Sequence, residues 1–282
     1  MLNTKNIAVV GSTGMVGKEL LTLLNKTPVI NFSRGSEFNF ENIDLVFFCA
    51  GSDVSKEWIP TALNSSARVI DLSSAYREDP DVPLVIPEIN GHLLKKDPQL
   101  ISSPNCTASI MLMALSPLHK LFGLQRIILS SYQAVSGAGR RALEALLARE
   151  DPFDLHLHPG DEEKKVTFEV RKILELPELA ISATCVRVPV ERAHSISLFA
   201  EFASPVDEEE AIRALQKQKG VVFANKTPYA ASNQHDIFVG RVRKENSNSL
   251  HLWVVGDQLL KGAALNAFQI AQNLPTTYNK KV

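Results

Sequence analysis

The chain begins its regular pattern with four apolar residues, Ile7-Ala-Val-Val10. Gly11-Ser-Thr-Gly-Met-Val-Gly17 follows, and then Lys18 to Leu24 at helical spacing. That order predicts strand, tight turn and helix. Asp44-Leu-Val-Phe-Phe-Cys-Ala50 and Ala67-Arg-Val-Ile-Asp71 read as two further buried strands, ending in Gly51-Ser52 and Leu72-Ser-Ser74. Strands that end in Gly/Ser turns and alternate with helices imply a parallel sheet, and such sheets take ligands at the carboxyl ends of their strands. The turns at Gly11, Gly51 and Ser73 fall on that edge. After Cys106 the pattern changes. Gln125–Gln133 reads as a strand closed by the turn Ala134–Gly139, and residues 140–150 read as a helix. Ser182–Val190, Ser195–Phe202 and Leu250–Val255 read as strands with few helices between them, which predicts a mixed sheet in a second domain. Asp257–Leu274 reads as a final amphipathic helix.

Composition narrows the class. With 282 residues, 45% of them hydrophobic, the chain can bury a large core in one large domain or two ordinary ones. A formal net charge of -1 and the absence of a Lys/Arg tract argue against a nucleic-acid partner. No apolar run is long enough to span a bilayer, and the N-terminus lacks a signal-peptide pattern. The three cysteines, Cys49, Cys106 and Cys185, are odd in number and have no metal-like spacing, so free thiols in a reducing cytoplasm are expected. His156 and His158 form a pair without an evident third ligand and receive no role; no metal is expected.

Candidate chemistry starts at the glycine turn. Three glycines at spacing three, opening a helix after a strand, suit a pyrophosphate cradle; a structural turn is the alternative. Downstream, Ser33 and Arg34 favour a ribose 2′-phosphate and hence NADP, while Glu37 keeps NAD open. The second candidate is Cys106 in Pro104-Asn-Cys-Thr107. Asn105 is a good N-cap, which places the thiol in the first turn of a helix, where the dipole favours thiolate. The other reading, a small buried hydrophobe, suits Cys49 and Cys185. A thiolate used with a nicotinamide cofactor suggests attack on an aldehyde, loss of hydride and release of the resulting thioester by a second nucleophile.

Seven segments carry a resemblance: Gly11–Gly17, Asp71-Leu-Ser-Ser-Ala-Tyr-Arg77, Val82–Asn90, Pro104–Thr107, Tyr132–Gly139, Arg187-Val-Pro-Val190 with His194-Ser195, and Lys261-Gly-Ala-Ala-Leu-Asn266. In this order, from near residue 5 to near residue 274, they resemble the aspartate-semialdehyde dehydrogenase family. The resemblance implies an α/β fold: a Rossmann-type dinucleotide-binding domain with a parallel sheet (1–107, completed by 256–282), and an α+β catalytic and dimerisation domain with a mixed sheet (108–255). It implies phosphate-dependent interconversion of L-aspartate semialdehyde and L-aspartyl phosphate with NADP, in amino-acid biosynthesis, by a cytoplasmic homodimer or homotetramer. Residue by residue, Cys106 matches the nucleophile, His194 the acid/base group that takes and returns the thiol proton, and Gln133 the group that orients the acyl intermediate. Arg187 matches the anchor of the substrate carboxylate and Glu162 the receiver of its ammonium. Arg77, Asn105 and Lys165 match the phosphate site. Gly11, Thr13, Gly14, Met15 and Val16 match the pyrophosphate turn, and Ser136, Gly137 and Asn266 further cofactor contacts.

The chain also departs from the family. It is short between Asn25 and Asp44, the region that selects the cofactor, and Ala193 replaces a glycine that often precedes the histidine. The competing readings are a reductase of N-acetylglutamyl phosphate and a non-catalytic nucleotide-binding homologue.

Overall fold

The computed structural model describes residues 6–25, 27–33, 37–148 and 161–275. Arg34, His156 and His158 lie outside them, as does the end of the helix expected over 140–150. The described residues form two compact units: those up to Pro104 together with those from Ala263, and Asn105–Gly262.

The first unit is built on a parallel sheet. Its strands are β1 (Ile7–Val10), β2 (Val29–Phe32), β3 (Leu45–Phe48), β4 (Arg68–Asp71) and β5 (Leu100–Ser102), in the order β2-β1-β3-β4-β5. Every residue of β1, β3 and β4 is buried, as expected of strands covered on both faces. Alternate residues serve the two sides. Ile7, Val9, Leu45 and Phe47 pack with Leu20 and Leu24 of the Met15–Leu24 helix, and with Ala267 and Ile270 of the Leu265–Gln272 helix. Ala8, Val10, Val46 and Phe48 face the opposite way, toward Ile59 and Ala62 of the Ser52–Asn64 helix. The short stretch between β2 and β3 has a physical counterpart here. Residues 37–44 contain no helix; instead Phe38 and Phe40 stack on Phe32 at 5.2 and 5.6 Å, and Phe38 meets Trp58 at 4.7 Å. Aromatic rings cover the sheet face there.

The second unit holds a mixed sheet of β6 (Leu124–Ala134), β7 (Ala180–Val188), β8 (His194–Phe202), β9 (Val221–Phe223), β10 (Ile237–Lys244) and β11 (Ser249–Gly256), ordered β7-β6-β8-β11-β10-β9. β7 runs parallel to β6, while β8 and β11 run antiparallel to their neighbours. Register brings chemistry to one end of this sheet: Gln133 pairs with Arg187, Tyr132 with Ser195, and Gly256 with His194. The Cys106–Phe122 helix is buried nearly all round, which explains its almost continuous apolar run.

The expected amphipathic helix over Asp257–Leu274 is corrected. Residues 257–267 are nearly all buried, Leu260–Ala264 form a π-turn, and the α-helix proper spans Leu265–Gln272. A segment this buried needs no polar face turned to water.

Candidate active site

The second unit assembles its site at the front of the Cys106–Phe122 helix. Asn105 caps that helix, its Oδ1 accepting the Thr107 N–H at 2.8 Å. Cys106 is the first helical residue, where free N–H groups and the dipole favour negative charge. Backbone packs tightly against it: a Cβ on Gly262 would stand 2.8 Å from the Cys106 Cβ. Nothing larger than glycine fits there without movement.

Sγ of Cys106 lies 3.3 Å from Nε2 of His194, at the start of β8. His194 is fully buried, and its Nδ1 accepts the Ala134 N–H at 3.0 Å. Burial first, and the Arg187 guanidinium second, hold the imidazole down at about 3. Arg187 reaches in from β7 and donates from Nη1 to the Ala134 carbonyl at 2.7 Å. Burial lowers its own affinity for a proton, which the nearby Cys106 and Glu162 partly restore. Gln133 is buried beside the same helix turn and donates from Nε2 to Thr107 Oγ1 at 3.1 Å. The sequence brackets Cys106, Gln133, Arg187 and His194 across nearly ninety residues; three neighbouring strands and one helix end bring them together.

The Glu162–Leu174 helix supplies the acidic side. Glu162 Oε2 accepts from Asn105 Nδ2 at 2.6 Å, and its Oε1 lies 3.4 Å from Lys165 Nζ. Glu169, two turns later on the same face, accepts the Asn105 backbone N–H at 2.5 Å and is 1% exposed. Sequence reasoning missed Glu169. Its only signal was spacing, seven residues beyond Glu162, and a glutamate at that spacing more often faces water. A second buried network holds the backbone of Ala193, the residue before His194. Gln258 donates to Ser136 Oγ at 2.6 Å and accepts the Ala193 N–H at 2.8 Å, while Asp257 pairs with Arg192 at 2.5 Å. Ser136 Oγ donates in turn to the Glu191 carbonyl. Ala193 holds φ +71°, the left-handed region where glycine is at ease and alanine is strained by about 1 kcal/mol. Gly137 lies close to both Arg187 and His194: a Cβ there would be 2.9 Å from Arg187 Nη1 and 3.1 Å from His194 Cε1.

The other two thiols take the inert reading. Burial pushes Cys49 up to about 12 and Cys185 up to about 11.

In the first unit, Gly11 holds φ +83° and packs on the Cys49 carbonyl, where a Cβ would stand at 2.9 Å. Gly17 touches the Gly11 carbonyl, so the helix starts against the turn with Thr13 and Gly14 exposed and Met15 and Val16 half-buried. The first turn of that helix has no side-chain cap and Gly14 as its N-cap, which suits a phosphate approached by backbone. Ser33 follows β2 and is half-buried. Arg77 is buried and donates from Nε to the Ser103 carbonyl at 2.9 Å and from Nη2 to the Leu72 carbonyl at 2.8 Å. Asn266 is fully buried, its amide spent on the Val85 carbonyl at 2.9 Å and Ser103 Oγ at 3.0 Å.

A glycine-turned parallel sheet in one chain with a thiol–imidazole centre is the equipment of an NAD(P)-dependent oxidoreductase. The family profiles agree. Residues 29–97 match the semialdehyde dehydrogenase NAD binding domain, and residues 115–165 and 153–261 match the semialdehyde dehydrogenase dimerisation domain. Aspartate-semialdehyde dehydrogenase of Prochlorococcus marinus is 38% identical, with 96% of each chain covered. That of Bacillus subtilis is 34% identical, with 95% of this chain and 97% of the other covered. Among solved structures, aspartate semialdehyde dehydrogenase II of Vibrio cholerae, complexed with ASA, superposes with a TM-score of 0.89 at 29% identity, covering 96% of this chain and 98% of the other. The chain belongs to the aspartate-semialdehyde dehydrogenase family. No helix among the described residues is long and apolar enough to cross a membrane.

Proposed function

We propose that the chain interconverts L-aspartate semialdehyde and L-aspartyl phosphate with NADP and inorganic phosphate, through a thioester on Cys106. The observation that carries this reading is the Cys106 Sγ at 3.3 Å from His194 Nε2, on a helix N-terminus and beside Arg187. A thiolate formed there attacks the aldehyde carbon. Arg187 takes the substrate carboxylate as a guanidinium fork, and Glu162 takes the ammonium. Gln133 orients the acyl group from its place beside Thr107. Arg77, Asn105 and Lys165 take the phosphate that releases the thioester; Lys165 sits within reach of Glu162, so the ammonium and phosphate subsites share an element.

The turn at Gly11, Thr13, Gly14, Met15 and Val16 would hold the cofactor pyrophosphate, for which its uncapped helix start is suited. Ser136 and Gly137 serve the nicotinamide end, Ser33 and Arg34 the 2′-phosphate. Asn266 acts in support, through its bond to Ser103. When bound, the cofactor supplies a hydride acceptor. We divide the labour as cofactor binding in 1–107 with 256–282 and catalysis with self-association in 108–255. The match to a dimerisation domain supports a homodimer or homotetramer, as do Ile128 and Tyr132 on the sheet's outer face, 38% and 37% exposed, with Tyr132 stacked on Trp253.

The test is reduced-nicotinamide absorbance with aspartate semialdehyde, NADP and phosphate, alongside Cys106→Ala and parallel cuvettes with NAD. Phosphate-dependent reduction lost in Cys106→Ala is expected. Turnover of N-acetylglutamyl semialdehyde instead would transfer the chain to the other reductase, and folded protein without turnover would point to a nucleotide-binding homologue.

A further inference from the structure

The inward face of β6 changes character along its length. Ile127 and Leu129 are buried and apolar, as alternate strand positions facing a core should be. The next two inward positions, Ser131 and Gln133, are as deeply buried, at 0% and 1% exposed, yet polar. Thr107, on the first turn of the Cys106–Phe122 helix, is also 0% exposed. Buried polar groups destabilise a fold unless they are bonded, and these three are bonded to one another. Gln133 Nε2 donates to Thr107 Oγ1 at 3.1 Å and to Ser131 Oγ at 3.4 Å. An amide nitrogen carries two hydrogens, so one is committed to the helix and the other to its own strand. The terminal torsion of a glutamine is otherwise broad, and two bonds in different directions narrow it. Ser131 is itself held. Its hydroxyl meets the sulfur of Cys185, its partner on β7, and acts against the burial that pushes that thiol up to about 11. The Cys185 N–H is taken by Glu163 Oε1 at 2.8 Å, which ties this stretch of β7 to the Glu162–Leu174 helix.

We propose that Thr107 and Ser131 are positioning residues for Gln133: their two hydroxyls lock its side-chain amide in the rotation from which it orients the acyl group on Cys106. This rests on the reaction proposed above and deepens it. Neither hydroxyl touches substrate in this scheme; both act through Gln133. Thr107 follows the nucleophile in the chain, so the orienting amide is referenced to the same helix turn that carries the sulfur. The helix cap uses the Thr107 backbone N–H, bonded to Asn105 Oδ1 at 2.8 Å, and not its hydroxyl. Thr107→Val therefore removes the hydroxyl, keeps the branched shape and leaves the cap in place.

Two measurements test it. The first needs neither aldehyde nor cofactor: hydrogen exchange read from proton–nitrogen spectra of the chain with labelled glutamine, the Gln133 side-chain signals being those absent from Gln133→Ala. Slow exchange is expected in the wild type, and exchange faster by roughly fivefold in Thr107→Val and in Ser131→Ala, the change that corresponds to one ordinary hydrogen bond. An unchanged rate in either variant overturns the proposal. The second compares kcat/KM for aspartate semialdehyde with the rate of Cys106 alkylation by iodoacetamide, read by peptide mass. In Thr107→Val, kcat/KM should fall by about tenfold, as for a misplaced orienting group, while alkylation, which does not use Gln133, keeps its wild-type rate. Thr107→Ser, which restores a hydroxyl, should rescue the loss. Wild-type kcat/KM in Thr107→Val refutes the positioning role, and so does alkylation that falls in step with turnover, which would mean a disturbed helix start. A wild-type chain that does not turn over aspartate semialdehyde, with the Gln133 amide still released in both hydroxyl variants, would sink the proposed reaction and leave the amide lock standing.

Discussion

Gly137→Ala is a sharp test of how closely the site is packed. The residue lies in the Val135–Ala138 turn after β6 and is exposed on its outer side, so an added methyl leaves the core untouched. On the inner side that methyl would stand 2.9 Å from Arg187 Nη1, 3.1 Å from His194 Cε1 and 3.4 Å from His194 Nε2. Such contacts relax to about 3.5 Å or more, so each group must give by about half an ångström. Neither is free to do so cheaply. Arg187 Nη1 holds the Ala134 carbonyl at 2.7 Å, and His194 is pinned by the Ala134 N–H at 3.0 Å. Misplacing reacting groups by about 1 Å can cost roughly a hundredfold, so half that displacement should lower kcat/KM by about tenfold or somewhat more. Part of the loss should fall on KM, because Arg187 is the proposed carboxylate anchor. Thermal unfolding should move by only about 2–3 °C, since no buried apolar contact is lost. Steady-state kinetics with aspartate semialdehyde, together with a melting curve, decide the matter. Wild-type kcat/KM in a variant that carries the methyl and melts normally would refute the argument that Gly137 is there for closeness.

Glu169→Ala removes the acceptor from the Asn105 N–H and leaves that buried donor unpaired. A stability loss of about 1–3 kcal/mol in urea unfolding is expected, together with slower alkylation of Cys106, because the cap residue of its helix is no longer held; an unchanged alkylation rate would confine Glu169 to a structural role. Stability should also depend on acid through His194. Its imidazole takes a proton near 6.5 when exposed and only at about 3 when folded. Between those values unfolding takes up one proton, so stability is complete above about 6.5 and falls with decreasing pH by about 1.4 kcal/mol per unit. Urea midpoints across this window should show a slope one proton shallower in His194→Gln, and identical slopes would mean that the folded ring is not held neutral.

Much of the parallel sheet was legible because its signal is local. Short runs at Ile7–Val10 and Leu45–Phe48, apolar throughout, and at Arg68–Asp71, apolar at its centre, were readable as buried strands, and the Gly/Ser turns after them mark their ends. Asn105 before Cys106 announced a helix start for the same reason, since a cap acts on the N–H groups two and three residues away. Other elements had weaker local voices. β2 is four residues of which only Phe32 is buried, β5 is three residues, and the Ser52–Asn64 helix carries Pro60 and many polar residues, so none of these stood out. The charged start of the Glu162–Leu174 helix looked like a solvated face; its roles came from resemblance alone, and Glu169 had only its spacing from Glu162 as a signal.

The boundary between the two kinds of information follows from range. By itself the sequence determined the α/β class, the strand-turn-helix at the glycines, the helix that carries Cys106 and, through resemblance, the family. Those depend on periodicity, capping and short spacings, which act within a few residues. Only the tertiary structure decided that Gln133, Arg187 and His194 meet at one sheet end, that the Ala134 peptide grips both His194 and Arg187, and that Glu169 holds the cap of the helix. These contacts join residues far apart along the chain, 64 positions in the case of Asn105 and Glu169. They form only when strand register and burial remove water from both partners, and no local pattern records that event.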